Sequence, residues 1–322
     1  MIRERIETEE TAVLKMMKNR VWRPFVGGRL LDEFQGIYPA EDGHYPEEWV
    51  CSTVKATDGT GLSYLADGRT LKEVIGYDLD VLVKVLDSSS RLMIQVHPDR
   101  KHAMDYFGSP YGKTEAWYIL DTRVIDGVEP YVLLGFREGV TRERWMNLCE
   151  AQDVEGMLSC LHRIRVHPGE LYFVPGGVPH AMGSGVFFVE IQEPTDITLR
   201  VERLSPDGRT LLDKEMHQGI GFSRMFDCFH YEGLSLNEML KKYRLETSAD
   251  GKLITKKHTP YFSMELLTVQ EQAVVTVEDY AIVLVLDGPD RGSEYFLQES
   301  TCFCGGQQLL ICRGKSGAER EG

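Results

Sequence analysis

Short runs of β-branched and aromatic residues, each bounded by glycine, aspartate or proline, recur along most of the chain. Such runs are typical of β-strands. We predict strands between about residues 48 and 136, from Ile164 to about Leu204, and again over 260–313. Many short strands with glycine and proline turns and few helices favour a β-sandwich or a β-barrel. The sequence therefore predicts a mainly β fold.

Apolar residues at helical spacing separate these strand-rich blocks. We predict a charged N-terminal helix over 3–19 and further helical segments near 141–162, 211–229 and 235–244. A length of 322 residues is comfortable for two domains, and the turn-like residues 247–251 offer a boundary. We expect a first unit over 1–245, which contains the helical segments, and a second β unit over 246–322.

The charge balance limits the classes of partner. With 36 basic and 50 acidic residues the net charge is -14, which argues against nucleic acid and anionic membranes as partners. A local group of Arg and Lys side chains could still bind an anionic small molecule. No run of about 18 apolar residues occurs, and the first residues lack an apolar signal core. We therefore expect a soluble, cytoplasmic protein.

The seven cysteines are irregularly spaced and include no CxxC pair. Reduced thiols are the natural interpretation, since this pattern does not suggest a disulfide framework. Cys302 and Cys304 could hold a metal ion, but we interpret them as neighbouring positions on one face of a strand.

Gln95 and His97 are the first candidates for a metal site. Alternate residues of a strand share a face, so these two side chains point the same way while Ile94 and Val96 point into the packing. A polar pair on one face of an apolar strand needs partners if it is buried. A bound metal ion would supply them, although a lone histidine is more often a satisfied or exposed side chain.

Two later segments add an acid and a second histidine. Glu115 opens an apolar strand, which is an awkward place for a carboxylate unless a cation faces it. Further on, Gly169, Pro175, Gly177 and His180 form a spaced Gly-Pro-Gly-His pattern. The glycines permit tight turns around a rigid proline, and the strand that follows would deliver His180 inward.

These segments carry a resemblance to a known family. The segment that ends in His180 looks like the second conserved motif of cupin barrels. The segments with His97 and Glu115 resemble the Gln-x-His and Gly-Lys-Thr-Glu motifs of type I mannose-6-phosphate isomerases (phosphomannose isomerases), in their short bacterial form. Residues 190–200 and 47–52 are similar to further segments of that family, and the resemblance covers roughly residues 20–220.

The resemblance implies a fold, a metal and a reaction. The fold would consist of two cupin-type β-barrel (jelly-roll) units with a small helical insertion. The ligands would be Gln95, His97, Glu115 and His180, which suit one zinc ion per chain or another divalent metal. The reaction would interconvert mannose 6-phosphate and fructose 6-phosphate through a cis-enediol.

Three charged side chains are candidates for the chemistry. Arg200 could stabilise the enediolate or hold phosphate, or it could form a structural ion pair. Lys113 could move protons between oxygens or hold phosphate, or it could be a solvated turn lysine. Glu190 could be the base if burial raises its pKa, or it could pair with Arg200 or Lys113.

The resemblance also implies substrate contacts. Ser90 and Arg91 resemble the phosphate-side segment of the family, and Trp49 would either form a wall of the pocket or be an ordinary core residue. Two features depart from the family: four residues separate Trp22 from Gly27, and Arg100 stands where an acid is common. The second unit has neither a Gln-x-His nor a His-x-His pattern, so we expect it to be metal-free.

Alternative functions stay open. They are another sugar-phosphate isomerase or epimerase on the same scaffold, a non-catalytic sugar-phosphate-binding cupin, and an iron-dependent cupin dioxygenase. Gln95 in place of a third histidine counts against the dioxygenase, as do Lys113 and Arg200. The expected partner is a small phosphorylated sugar, with neither nucleic acid nor membrane, and the chain would be a monomer or a homodimer.

Overall fold

The structure, a computed structural model, describes residues 13–315. Strands dominate this range, and neighbouring strands pair antiparallel throughout the sheets. The prediction of a mainly β fold is confirmed. The strands are β1 (Val13–Lys15), β2 (Arg20–Val21), β3 (Glu47–Val50), β4 (Leu82–Ser88), β5 (Gln95–Val96), β6 (Glu115–Thr122), β7 (Tyr131–Phe136), β8 (Leu161–Arg165), β9 (Leu171–Val174), β10 (His180–Met182), β11 (Val186–Gln192), β12 (Leu199–Arg200), β13 (Arg244–Leu245), β14 (Lys252–Ile254), β15 (Ser263–Val269), β16 (Gln272–Val275), β17 (Ala281–Asp287), β18 (Glu294–Leu297), β19 (Thr301–Cys304) and β20 (Gln307–Arg313).

The helices are short, and none of those between residues 13 and 315 is long and apolar enough to cross a membrane. Those after residue 140 agree with the predicted helical segments. Three more helices lie nearer the N-terminus. The helices of the described residues are α1 (Arg29–Gln35), α2 (Leu71–Ile75), α3 (Arg100–Phe107), α4 (Arg142–Ala151), α5 (Val154–Ser159), α6 (Asp213–Met216), α7 (Phe222–Asp227) and α8 (Leu236–Tyr243).

Two sequence-based expectations about helices are wrong. Residues 13–19 of the predicted N-terminal helix do not form a helix, because Val13–Lys15 pair with β18 as an edge strand; residues 3–12 lie outside the described range. The region 48–136, for which the sequence predicts strands, also contains α2 and α3. Both begin at caps rather than at an apolar period: Thr70 forms a capping box with Glu73, and Asp99 accepts from the His102 backbone N–H.

Two sheets surround the first part of the core. One runs in the order β13-β9-β6-β11-β4-β3-β2 and the other in the order β12-β5-β10-β7-β8. The central strands β4 and β11 are buried along their whole length, since each has hydrogen-bonded neighbours on both sides and packing on both faces. Aromatic and aliphatic side chains such as Trp117, Phe188 and Leu134 fill the space between the sheets.

The later strands form a separate sheet in the order β1-β18-β17-β20-β15-β14, with a two-stranded sheet of β16 and β19 beside it. Side chains of this sheet, such as Ile282 and Leu310, share one buried cluster with Val83 and Val189 of the first part. The strand β1 comes from near the N-terminus, so the six-stranded sheet is not built from the C-terminal residues alone. The division into two units at residue 245 stays a prediction.

Candidate metal centre and active-site cavity

Two histidines and one glutamate meet at the centre of the first sheet pair. His97 follows β5, Glu115 is the first residue of β6, and His180 is the first residue of β10. The Nε2 atom of His97 lies 3.5 Å from Glu115 Oε2, and the Nε2 atom of His180 lies 3.3 Å from Glu115 Oε1. All three side chains are about 1% exposed. Three segments that are distant in sequence thus place one ligand atom each within reach of a single ion.

Backbone carbonyls fix the orientation of both imidazole rings. His97 Nδ1 donates to the carbonyl oxygen of Ile197 at 2.8 Å, and His180 Nδ1 donates to that of Val178 at 2.9 Å. Each ring therefore keeps its Nε2 lone pair for the side facing Glu115. This arrangement, with the remote nitrogen hydrogen-bonded and the near one free, is the one in which histidine binds metals.

The electrostatics of the cluster favour a bound cation. Burial, together with the Glu190 carboxylate, raises the pKa of Glu115 far above its ordinary value. Burial lowers the pKa of His180 to about 4 and that of His97 well below 6.5. Glu115 Oε2 and His97 Nε2 have no hydrogen-bond partner among the described residues. A divalent ion would remove this cost, so the residues fit a metal site.

Gln95 lies against the same cluster. Its backbone pairs with that of His180 across β5 and β10, and its amide Nε2 lies 3.3 Å from His180 Nε2. Rotation of the amide by half a turn would present Oε1 at the same position. Ile94 and Val96 are completely buried on the opposite side, as the strand alternation predicts.

A cavity of about 490 Å³ opens next to the cluster. Gln95, Glu115 and His180 contribute to its wall, and the predicted catalytic residues Lys113, Glu190 and Arg200 line it as well. The chain as a whole carries an excess of acidic residues, but six basic side chains line the cavity beside six acidic ones. The basic ones are Arg23, Lys84, Lys113, Arg200, Arg209 and Lys214.

Lys113 lies beside a carboxylate, whereas Arg200 donates to a backbone carbonyl. The Nζ atom of Lys113 lies 3.6 Å from Glu115 Oε2, and the side chain is buried. Arg200 donates from Nη1 to the carbonyl oxygen of Thr198 at 3.1 Å, and no carboxylate within residues 13–315 lies within ion-pair distance of it. The guanidinium of Arg200 is therefore available to an anionic group in the cavity.

Glu190 differs from its sequence-based prediction in its pKa and in its partner. Burial does act to raise its pKa, but the ammonium groups of Lys84 and Lys113 outweigh burial, so the pKa of Glu190 is lowered. The partner is Lys84, whose Nζ donates to Glu190 Oε1 at 3.1 Å. The predicted ion pairs with Arg200 or Lys113 do not form.

Lys84 is a site residue that the sequence analysis did not single out. It lies in the middle of β4, opposite Glu190 of β11, and is 3% exposed. Burial acts to lower its pKa, but the carboxylates of Glu190 and Glu47 outweigh burial, so the pKa of Lys84 is raised. A signal was present in the sequence, since Lys84 interrupts the apolar run Val81–Leu86, where a charge needs a buried partner.

Trp49 is a core residue and does not line the cavity. It is completely buried and donates from Nε1 to Glu47 at 2.8 Å. Its ring lies beneath two cations of the cavity wall, with Arg23 at 5.2 Å and Lys84 at 5.1 Å from the ring centre. Trp49 therefore supports the wall from behind.

Ser90 and Arg91 lie away from the lining of the cavity. The hydroxyl of Ser90 accepts from the backbone N–H of Val26 at 3.0 Å. Arg91 forms a bidentate pair with Glu202 at 2.6 Å and 2.7 Å. Both side chains connect segments that are distant in sequence, and the structure does not bring them together with the metal cluster.

Known proteins resemble the chain in sequence. No family model matches it. It is 32% identical over 197 residues to the probable mannose-6-phosphate isomerase GmuF of Bacillus subtilis, a match that covers 58% of this chain and 58% of that protein. It is 27% identical over 296 residues to the mannose-6-phosphate isomerase of Streptococcus mutans, covering 83% of this chain and 87% of that protein. The sequence similarity is thus to mannose-6-phosphate isomerases, and the chain spans 58% of the first of these proteins and 87% of the second.

Solved structures of mannose 6-phosphate isomerases resemble the chain in their fold. The mannose 6-phosphate isomerase of Bacillus subtilis superposes with a TM-score of 0.71 at 21% identity, covering 94% of this chain and all of that one. A mannose 6-phosphate isomerase bound with zinc and yttrium superposes with a TM-score of 0.67 at 16% identity, covering 95% of this chain. The family resemblance indicated by the sequence motifs is confirmed.

Proposed function

We propose that this chain is a member of the mannose-6-phosphate isomerase family, and that it is a metal-dependent aldose–ketose isomerase that interconverts mannose 6-phosphate and fructose 6-phosphate. The observation that carries the proposal is that Lys113 and Arg200 line the same cavity as the metal cluster, and that no described carboxylate pairs with Arg200. The relatives named mannose-6-phosphate isomerase support this choice of substrate.

We propose zinc as the metal, held by His97, Glu115 and His180, with Gln95 as a fourth ligand through its amide oxygen. Two imidazoles, one carboxylate and one amide oxygen suit a borderline divalent ion, and a related solved structure contains zinc. When bound, the ion would supply Lewis-acid stabilisation of negative charge on a substrate oxygen.

Glu190 is the proposed base that accepts the proton from carbon. Aldose–ketose isomerisation moves a proton between C2 and C1 through a cis-enediol, so it needs a group that is ionised when substrate arrives. The lowered pKa of Glu190 keeps its carboxylate charged at neutral pH, and Lys84 holds one of its oxygens by an ion pair. The same lowered pKa makes Glu190 a weaker base, so we expect less than the about 10²–10⁴-fold in rate that a general base with a pKa near the working pH contributes.

Lys113 and Arg200 are the proposed partners of the substrate oxygens. Lys113 is buried next to Glu115, where its ammonium group could pass a proton between the two oxygens of the enediol or bind phosphate. Arg200 would stabilise the enediolate or hold phosphate, because a guanidinium remains charged and presents several N–H groups to an oxyanion. Ser90, Arg91 and Trp49 lie outside the lining of the cavity, so the proposal does not rely on substrate contacts from them. The cytoplasmic location and the monomeric or dimeric state remain predictions.

The test is turnover of mannose 6-phosphate by the purified chain. We expect conversion to fructose 6-phosphate, loss of activity after chelator treatment, and recovery when zinc is restored. Glucose 6-phosphate and ribose 5-phosphate are tested separately as alternative substrates. Deuterium incorporation at C2 of the sugar in heavy water reports the proton transfer. Saturable binding of mannose 6-phosphate without deuterium exchange would contradict the proposal and favour a binding protein.

A further inference from the structure

Glu193 is a completely buried carboxylate that the proposed reaction does not use. It lies one residue beyond the end of β11. Its Oε1 accepts from Arg100 Nε at 2.5 Å, and its Oε2 accepts from the backbone N–H of Thr114 at 3.0 Å. The backbone N–H of Glu193 in turn donates to the carbonyl oxygen of Thr114 at 3.1 Å. Glu193 therefore ties down the residue that directly precedes the proposed ligand Glu115.

The segments that carry the proposed ligands meet at the same place. A Cβ atom on Gly112 would lie 2.8 Å from the carbonyl oxygen of Pro98, and one on Gly176 would lie 2.7 Å from it. The backbone N–H of Gly177 donates to the carbonyl oxygen of His97 at 2.7 Å. The two glycines are needed because the chain before Glu115 and the chain before His180 both pack directly on the residues after His97.

Arg100 connects this junction to the later strands. Its guanidinium carbon lies 3.8 Å from the centre of the Tyr261 ring and 5.7 Å from that of Tyr111. Tyr261 lies two residues before β15, a strand of the six-stranded sheet. A planar guanidinium stacks well on an aromatic face while its edge bonds a carboxylate. One side chain thus contacts Glu193 with its edge and Tyr261 with its face.

We propose that Arg100 and Glu193 are positioning residues that set how tightly the His97–Glu115–His180 centre holds its metal ion. Through Tyr261, this retention also depends on the strands after residue 260. The inference rests on the proposed metal site. Its physical basis is that removal of Arg100 leaves Glu193 as an uncompensated buried charge, so the segment with Thr114 and Glu115 must relax.

The experiment measures the rate at which zinc-loaded protein loses its ion to an excess of a colorimetric chelator. Loss of a residue that orients metal ligands typically weakens metal binding about 10- to 100-fold, and we expect zinc loss from Arg100→Gln to accelerate by this amount. Tyr261→Leu should accelerate it in the same direction, whereas Tyr261→Phe, which keeps the ring, should behave as the wild type.

A matched control separates positioning from general stability. Arg123 pairs with the completely buried carboxylate of Asp87 at 3.0 Å. It follows the C-terminal end of β6, whereas Glu115 is the first residue of that strand. Arg123→Gln should lower the free energy of unfolding of the metal-free chain without faster zinc loss. If Arg100→Gln loses zinc no faster than Arg123→Gln, the inference is overturned.

A second variant tests whether the two positioning residues act together. Glu193→Gln keeps an acceptor for the Thr114 N–H but removes the charge, and its effect on zinc loss should not add to that of Arg100→Gln. Additive effects would overturn the coupling. A wild-type chain that holds no zinc would overturn the inference together with the metal site, whereas a chain that holds zinc but does not isomerise the sugar contradicts only the proposed activity.

Discussion

At the scale of single residues, the site depends on charges that the fold buries with partners. Lys84 and Glu190 face each other across β4 and β11, and Lys113 lies beside Glu115. Each of these groups would cost several kcal/mol if it were buried alone. Arg200 is the exception, since its guanidinium is not paired with a carboxylate of residues 13–315. We therefore expect the histidines to bind the metal ion and Arg200 to bind the substrate.

Two substitutions should both lower activity but differ in their effect on metal content. His97→Ala should lose both the metal and the activity, because one of the proposed ligands is gone. Arg200→Ala should keep about one zinc per chain while kcat falls by about 10²–10³-fold, the usual cost of removing one donor to an oxyanion. Metal analysis of both purified variants, alongside turnover of mannose 6-phosphate, checks the pair. Stoichiometric zinc in His97→Ala would remove that residue from the ligand set.

At the scale of elements, the turn between β9 and β10 delivers His180 to the cluster. Gly177 adopts φ 93°, and a Cβ atom there would lie 2.6 Å from the His230 ring. Gly169 adopts a similar φ of 85°, but a Cβ atom there would have no neighbouring atom of the described residues within 4 Å. The two glycines therefore differ in packing but share a left-handed backbone conformation.

Gly177→Ala should destabilise the protein more than Gly169→Ala. The left-handed conformation costs an L-residue about 1–2 kcal/mol at either site, and only Gly177→Ala also pushes on the ring of His230. Urea unfolding of the two variants measures the difference, and zinc content should fall only in Gly177→Ala because His180 follows three residues later. Equal destabilisation of the two variants would show that the contact with His230 is relieved without cost.

At the scale of the whole molecule, a pair of buried carboxyl groups lies where β3 of the first part and β18 of the six-stranded sheet come together. Burial and the neighbouring Glu48 raise the pKa of Glu294 well above its ordinary value, with Lys18 acting in the opposite direction. Burial also raises the pKa of Glu48 and of the nearby Cys51. The packing of the two sheets is therefore coupled to the protonation of Glu294.

The raised pKa of Glu294 makes stability fall as the pH increases. Above about pH 4.3 an unfolded glutamate ionises, while folded Glu294 keeps its proton until the pH passes its raised pKa. The free energy of unfolding therefore falls as the pH rises through that window. Glu294→Gln removes this loss and should stabilise the chain at pH 8 by about 1–3 kcal/mol relative to the wild type. Urea unfolding at pH 5 and pH 8 measures the difference.

An exposed glutamate of the same region provides the control for this prediction. Glu299 lies in the loop after β18 and is exposed to solvent. Glu299→Gln should leave the pH dependence of the free energy of unfolding unchanged. A Glu294→Gln variant whose stability changes with pH in parallel with the wild type would show that the pKa of Glu294 is the same in the folded and the unfolded chain.

Much of the fold and the core of the metal site could be predicted from the sequence, because they depend on local patterns. The alternation at Ile94–His97 places two polar side chains opposite two buried ones, whatever surrounds the strand. The glycines and proline before His180 restrict the backbone to a tight turn in any context. The short helices α2 and α3 were missed because their caps, and not an apolar period, define them.

Which charges meet is set by the packed sheets and not by any local pattern. Whether the pKa of Glu190 rises or falls depends on Lys84, a residue 106 positions away in sequence. The same holds for Trp49 beneath Arg23, for Arg91 with Glu202, and for Arg100 between Glu193 and Tyr261. The kinds of side chain that suit the proposed metal ion and the proposed phosphorylated sugar could be recognised without a structure, because they follow from chemistry. Their ionisation and orientation follow from distances between strands, which exist only once the sheets have packed.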